Sequence, residues 1–253
     1  MAPALESIVR RDRLIVATAL ALIAALAWIV TARLALDMRW MMLGDAGWDA
    51  GYFVAMFLMW VVMMIAMMVP SAAPAILLFA ALERGARLRN TSLFAIGYLV
   101  CWAAFGLLAT LGQWALNQAG QLASPMMIRA APAVGGVLLL GAGIYQLTPW
   151  KSACLRHCRS PAAFLTARWR PGRMGAFAMG LDHGAYCVGC CWALMALLFV
   201  VGAMNLVWVA ALAAFVLVEK LLPAGAFVGR AGAMAMIAAG ALLLWEGVYP
   251  VNL

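Results

Sequence analysis

Charge is what this sequence has least of. Asp, Glu, Lys and Arg make up 10% of its 253 residues, where a soluble globular domain carries about 25%. So few charges cannot cover a water-facing surface, which excludes an ordinary cytosolic enzyme. A hydrophobic share of 68% excludes a disordered tail. Histidine is scarce too, with two residues, and Asp plus Glu number nine. No Ser/His/Asp arrangement can be built from so few, and no catalytic residue is assigned. GxGxxG, a Walker loop and HExxH are all absent. So is the strand-like alternation that a membrane barrel needs.

What is present is apolar length. A helix that crosses a bilayer needs about 17–25 apolar residues. Seven stretches qualify, roughly 14–32, 52–69, 92–113, 130–147, 186–204, 206–222 and 231–248. Helices satisfy their own backbone groups in lipid. The expectation is therefore an all-α fold, a polytopic membrane helix bundle of about seven transmembrane helices in a single domain over 1–253. The bilayer is its first partner. Pro70 and Pro74 follow the second span, so 70–82 reads as a kinked continuation or a short interfacial helix. Met204-Asn205 leaves almost no loop between the fifth and sixth spans, which predicts a tight hairpin. Gly135-Gly136, Gly141-Ala142-Gly143 and Gly180-x-x-x-Gly184 read as points of close helix approach. The first span resembles a signal peptide at its Arg-rich start and at Ala25-Leu26-Ala27. Its apolar run exceeds an h-region of about 7–15 residues, so it reads as a retained helix.

Basic loops set orientation. With the N-terminus cytoplasmic, Arg10, Arg11, Arg13, Arg84, Arg87, Arg89, Lys151, Arg156, Arg159, Arg168, Arg170, Arg173, Lys220 and Arg230 fall inside. Only Arg33, Arg39 and Arg129 fall outside. This asymmetry accounts for the +8 net charge without nucleic acid as a partner.

Five of the six cysteines gather in two runs. Cys154 and Cys158 flank His157 in the Cys/Arg-rich cytoplasmic loop 148–173. Cys187, Cys190 and Cys191 open the fifth span. Cytosolic thiols are normally reduced, so such runs read as metal ligands or redox groups before structural disulfides. Cys187, Cys190 and Cys191 lie within about 100° of arc on a helix. His183 is one turn before them and Met195 one turn after. Soft sulfur ligands select Cu(I), Zn or an iron–sulfur cluster. Cys154-x3-Cys158 and Cys187-x2-Cys190 also fit zinc spacing. Cys101, alone, reads as packing.

Methionine is the third signal. Six of the eighteen lie in the second span. Met56, Met59, Met63 and Met67 fall within about 80° of one another on a helix, flanked by Met64 and Met68. Neutral thioethers are what a Cu(I) path at lipid depth needs; the plainer reading is flexible core filler. Acids in membranes are costly and are paired or functional. Glu219 reads either as a group supporting the thiols from behind, as His157 does, or as an interfacial acid paired with Lys220.

Several runs resemble a bacterial family of predicted metal-binding integral membrane proteins of unknown function, some labelled copper chaperone. They are Met64-Ile-Ala-Met-Met-Val-Pro70, Tyr145-Gln-Leu-Thr-Pro-Trp-Lys151, Cys154-Leu-Arg-His-Cys-Arg159, Cys187-Val-Gly-Cys-Cys-Trp192, Gly202-Ala-Met-Asn-Leu-Val-Trp208 and Glu219-Lys-Leu-Leu-Pro223. The resemblance implies soft-metal handling. Residues and resemblance together point to a multi-pass inner-membrane protein that binds Cu(I), with Zn as the alternative. Its metal residues are Cys187, Cys190, Cys191, Cys154, Cys158, His183, Met59, Met63 and Met67. A metallochaperone or another membrane subunit would be its protein partner. Two other readings stay open: a membrane thiol–disulfide oxidoreductase, and a scaffold subunit with a structural Zn site.

Overall fold

The structure is a computed structural model, and it describes residues 2–36, 48–83, 86–124 and 128–248. Arg39 and Arg84, which entered the loop-charge reading, lie outside the described residues. The chain is almost entirely helical: α1 (Ala2–Leu36), α2 (Ala50–Leu82), α3 (Arg87–Gln118), α4 (Pro132–Gln146), α5 (Pro149–Arg159), α6 (Pro161–Ala167), α7 (Gly172–Ala196), α8 (Leu198–Val201), α9 (Leu206–Leu221) and α10 (Gly225–Val248). Between α3 and α4, β1 (Leu122–Ser124) and β2 (Arg129–Ala130) form a small antiparallel ribbon.

Among the described residues five helical segments are long and apolar enough to cross a membrane: Arg11–Leu36, Ala50–Leu82, Arg87–Gln118, Gly172–Val201 and Gly225–Glu246. A sixth arises if α4 and α5, bent by 66° to each other, count as one broken span. The described residues thus give five or six such segments where seven were expected. The stretch expected at 206–222 becomes α9, 16 residues long, which is below the usual spanning length. The stretch expected at 186–204 starts inside α7, whose helix begins at Gly172, and runs on through α8 to the Gly202 turn. Apolar runs mark where lipid is tolerated, whereas helix ends follow capping and packing.

Large apolar side chains face outward along these helices. Leu14, Leu22, Leu26, Val137, Leu242 and Phe227 are all more than half exposed. Water would disfavour such an exterior, and lipid accepts it. Buried residues instead concentrate on α2 and α7.

Three pairings build the bundle. α1 lies against α2, α3 against α7, and α4 against α10, while α2 and α3 join the first two pairs. Glycine permits the closest of these approaches. A Cβ on Gly180 would overlap the Phe94 carbonyl, and one on Gly97 would overlap that of Phe177. Gly136 and Gly240 do the same for α4 and α10, each facing the other's carbonyl. Gly184 and Gly143 also sit at such contacts, as the spacing predicts, but Gly141 faces open space.

α2 runs unbroken through Pro70 and Pro74 to Leu82, so 70–82 is a continuation and not a separate helix. Nearby hydroxyls support this region. Ser71 Oγ donates to the Met68 carbonyl at 2.9 Å, and Tyr98 of α3 donates to the same oxygen at 3.1 Å. Neighbouring helices and Ser side chains commonly stabilise proline-bearing membrane helices in this way.

Two further expectations change. The loop 148–173 is largely helical, as α5 and α6. Thr148 caps α5, its hydroxyl accepting from Lys151 N–H at 3.3 Å, with Pro149 at the first turn. The hairpin at Met204-Asn205 is replaced by the short α8 and a turn with Gly202 at φ +92°. That turn directs α9 chiefly onto α2 and α10 and only lightly onto α7.

Candidate metal centre

α5 lies along α7, and their thiols face each other. Cys158 Sγ on α5 is 3.8 Å from Cys190 Sγ on α7. Gly189 lets Cys154 approach the same helix, since a Cβ there would come within 2.9 Å of Cys154 Sγ. Cys187, Cys190 and Cys191 are buried, and Cys154 and Cys158 are partly exposed. All six cysteines are free thiols. Cys190 and Cys191 turn back along α7, their sulfurs 3.1 and 3.0 Å from the Cys187 carbonyl.

Cys187 sits apart from that pattern. Lys220 Nζ of α9 is 2.9 Å from its sulfur. Tyr98 Oη of α3 is 3.1 Å away. Lys220 also donates to Ser71 Oγ of α2 at 3.1 Å. Four helices thus meet at one buried sulfur, which faces an ammonium and a hydroxyl. Lys220 and Cys187 are 5% and 1% exposed. A cation this deep requires a partner, and the polar atoms it reaches are Cys187 Sγ and Ser71 Oγ.

The methionine row lies against this point. Met56, Met59, Met63, Met64, Met67 and Met68 are all buried in the protein, where the sequence alone left lipid exposure open. At the far end of the row Gln113 closes the packing. Its Nε2 is 3.4 Å from Met56 Sδ, and its Oε1 accepts from Trp60 Nε1 at 3.0 Å. Met195 is buried as well.

The other expected site residues take separate places. His183 is buried beside Phe94, Tyr98 and Phe164, with Nδ1 lacking a hydrogen-bond partner. His157 stacks on Tyr186, ring centroids 4.0 Å apart, and its Nδ1 is 2.9 Å from the Ala153 carbonyl. Glu219 does not pair with its neighbour Lys220. Its carboxylate forms a buried ion pair with Lys151 and accepts from Gln146 at 2.6 Å. Side chains one position apart on a helix point about 100° apart, so Glu219 and Lys220 serve different faces of α9.

Sequence reasoning missed Tyr98 and Ser71, and it named Lys220 only as a cytoplasmic-side charge and as a partner for Glu219. A buried lysine near the end of an apolar run was the available signal. Tyr98 gave none, because tyrosine in a membrane helix is unremarkable until its neighbours are known. Among the described residues no group of three or more His, Cys, Asp or Glu is placed to hold a metal ion. Cys158 and Cys190 approach each other across α5 and α7, and Cys190 and Cys191 are turned toward the Cys187 carbonyl.

The PpoB2 copper-chaperone family matches residues 57–243 of the chain. The chain belongs to this family. The match runs from within α2 into α10 and so takes in every cysteine, Lys220, Tyr98 and five of the six methionines of the α2 row. α1, the first turns of α2 and the end of α10 fall outside the matched region. Comparison with the curated proteins and with the solved structures gives no match.

Proposed function

We propose that this protein binds Cu(I) at the thiols of α5 and α7 and passes it along the methionines of α2. The reading rests on Tyr98. Its hydroxyl reaches both the Met68 carbonyl and Cys187 Sγ, each at 3.1 Å. It therefore links Cys187 to the backbone of α2 at Met68, where the buried methionine row ends. The thiols of α7 and the thioethers of α2 are both buried inside the protein, so an ion held by either set is kept from water and lipid. Membership of a copper-chaperone family supports the choice of metal.

Cu(I) suits these donors because thiolate and thioether are both soft. Releasing Cys190 and Cys191 from the Cys187 carbonyl takes a χ1 rotation each and gives up only a weak thiol hydrogen bond. Thiolates around a monovalent ion stay negative in sum, and the Lys220 ammonium offsets that charge. The chain carries no ATPase motif, so movement is passive, ion-coupled or driven by a partner such as a metallochaperone.

Changing Met59, Met63 and Met67 together to Leu tests conduction. These swaps nearly conserve volume and cost less than about 1.5 kcal/mol each. The expected outcome is lower copper accumulation, or altered copper tolerance, in cells that depend on the protein, with the thiol site still loading. Unchanged copper handling would end the conduction reading.

A second reading is favoured by the 3.8 Å between Cys158 and Cys190. There the pair closes to a disulfide by giving two electrons and two protons to a partner's disulfide. It assigns no role to the methionines, so the same variant separates the two.

The inner membrane of a bacterium, with a cytoplasmic N-terminus, is the proposed location. Cys154 is partly exposed and should resist a membrane-impermeant thiol reagent in intact cells, then react once the membrane is opened. Its labelling in intact cells overturns the orientation.

A further inference from the structure

A second polar region lies away from the thiols, where the α4–α5 bend meets the turn between α9 and α10. It is a cavity of ≈ 240 Å³ whose wall includes Lys151, Ser152, Arg156, Arg159, Glu219 and Arg230. Four of these are cations and one is an acid. Lys151 already neutralises Glu219, which leaves three guanidinium groups. Arg159 is held in place by donating to the Leu222 and Pro223 carbonyls at 2.9 and 3.4 Å. Among the described residues neither Arg156 nor Arg230 has a carboxylate within ion-pair distance. Both are exposed at the mouth of the cavity. The concentration is notable in a chain with so few charges.

From this geometry we propose that the cavity binds a phosphate-bearing anion. A guanidinium fork matches two phosphate oxygens at once, and Arg156 and Arg230 supply two such forks from different helices. Ser152 on the same wall offers a hydroxyl donor. The buried Lys151–Glu219 pair forms the floor and adds no net charge. The position also fits. The candidate span of α10 begins at Gly225, so Arg230 lies in the second turn of that span. The cavity therefore opens near the level where a bilayer keeps its phosphates, and basic pockets between membrane helices at that level hold anionic headgroups. The same chemistry would take a soluble phosphate compound, so the ligand is either a lipid headgroup or a free phosphate.

The test compares the wild-type chain with an Arg156→Gln/Arg230→Gln variant and an Arg173→Gln control. All three positions are exposed, so folding is not at stake. Each protein is purified in neutral detergent and titrated with phosphatidylglycerol, phosphatidylcholine and inorganic phosphate. Native mass spectrometry reads bound ligand, and melting temperature reads stabilisation.

The expected result is that phosphatidylglycerol binds the wild type and the control. The double variant should bind it roughly tenfold more weakly or worse, as for the loss of charged hydrogen bonds worth about 1.4 kcal/mol or more. Phosphatidylcholine should bind less in all three. If inorganic phosphate binds with the same dependence on Arg156 and Arg230, the site stands and its source is soluble. Equal phosphatidylglycerol binding by wild type and double variant overturns the proposal, as does an equal loss in the Arg173→Gln control. Metal content is read alongside and should not change, because neither arginine touches a thiol.

Discussion

Cys187→Ser is expected to remove copper from the anaerobically purified protein, with affinity falling by more than about 100-fold. That exceeds the roughly 10- to 100-fold range for residues that only support a metal ligand. The reason is the position of Cys187. It alone among the thiols faces both the Lys220 ammonium and the Tyr98 hydroxyl, and through Tyr98 it reaches the methionine helix. Lys220→Met and Tyr98→Phe should each fall within the supporting range, since they remove charge balance or a hydrogen bond but no ligand. Cys101→Ser should bind as the wild type does, because Cys101 Sγ is engaged with the Leu181 carbonyl at 3.3 Å. Mass spectrometry of metal content, with competition against a Cu(I) chelator, reads all four. Full copper in Cys187→Ser would move the site elsewhere. Zinc lost in place of copper would favour a structural staple between α5 and α7.

Lys151→Met should be the most destabilising single change. It leaves the Glu219 carboxylate buried, with Gln146 as its remaining hydrogen-bond partner. Removing one member of a buried ion pair costs about 3–5 kcal/mol. Lys151→Met/Glu219→Gln should recover most of the loss, because no charge is then stranded. Such non-additivity is the mark of direct coupling. Thermal unfolding in detergent of the wild type, both single variants and the double variant measures it. A Lys151→Met protein that melts with the wild type would mean that this pair is not a buried ionic contact. The loss would loosen α5 from α9, so the Cys158–Cys190 approach, two turns along the same face of α5, should weaken too.

Much of the architecture was legible from the chain alone. Scarce charge and long apolar runs were enough to predict a helical membrane protein, because lipid leaves the backbone few other choices. The residue runs around the cysteines were also specific enough to point to the family that matches residues 57–243. Helical spacing predicted a single face for Cys187, Cys190 and Cys191, and all three are buried on α7. The number of spans was harder to read. Hydropathy does not register that α9 is too short or that α4 turns by 66° into α5.

Pairing across helices belonged to the tertiary structure. Glu219 and Lys220 are neighbours in the chain, and the sequence invites pairing them. The fold sends Glu219 to Lys151 and Lys220 to Cys187, because adjacent helical residues face different neighbours. Tyr98 carried no mark in the sequence. It becomes part of the site because Gly97 and Gly180 bring α3 and α7 into backbone contact. Local pattern therefore determined which residue types were available, a helical membrane chain rich in thiols and thioethers. Which of them meet was decided by helix approach and by the need of each buried charge for an opposite one.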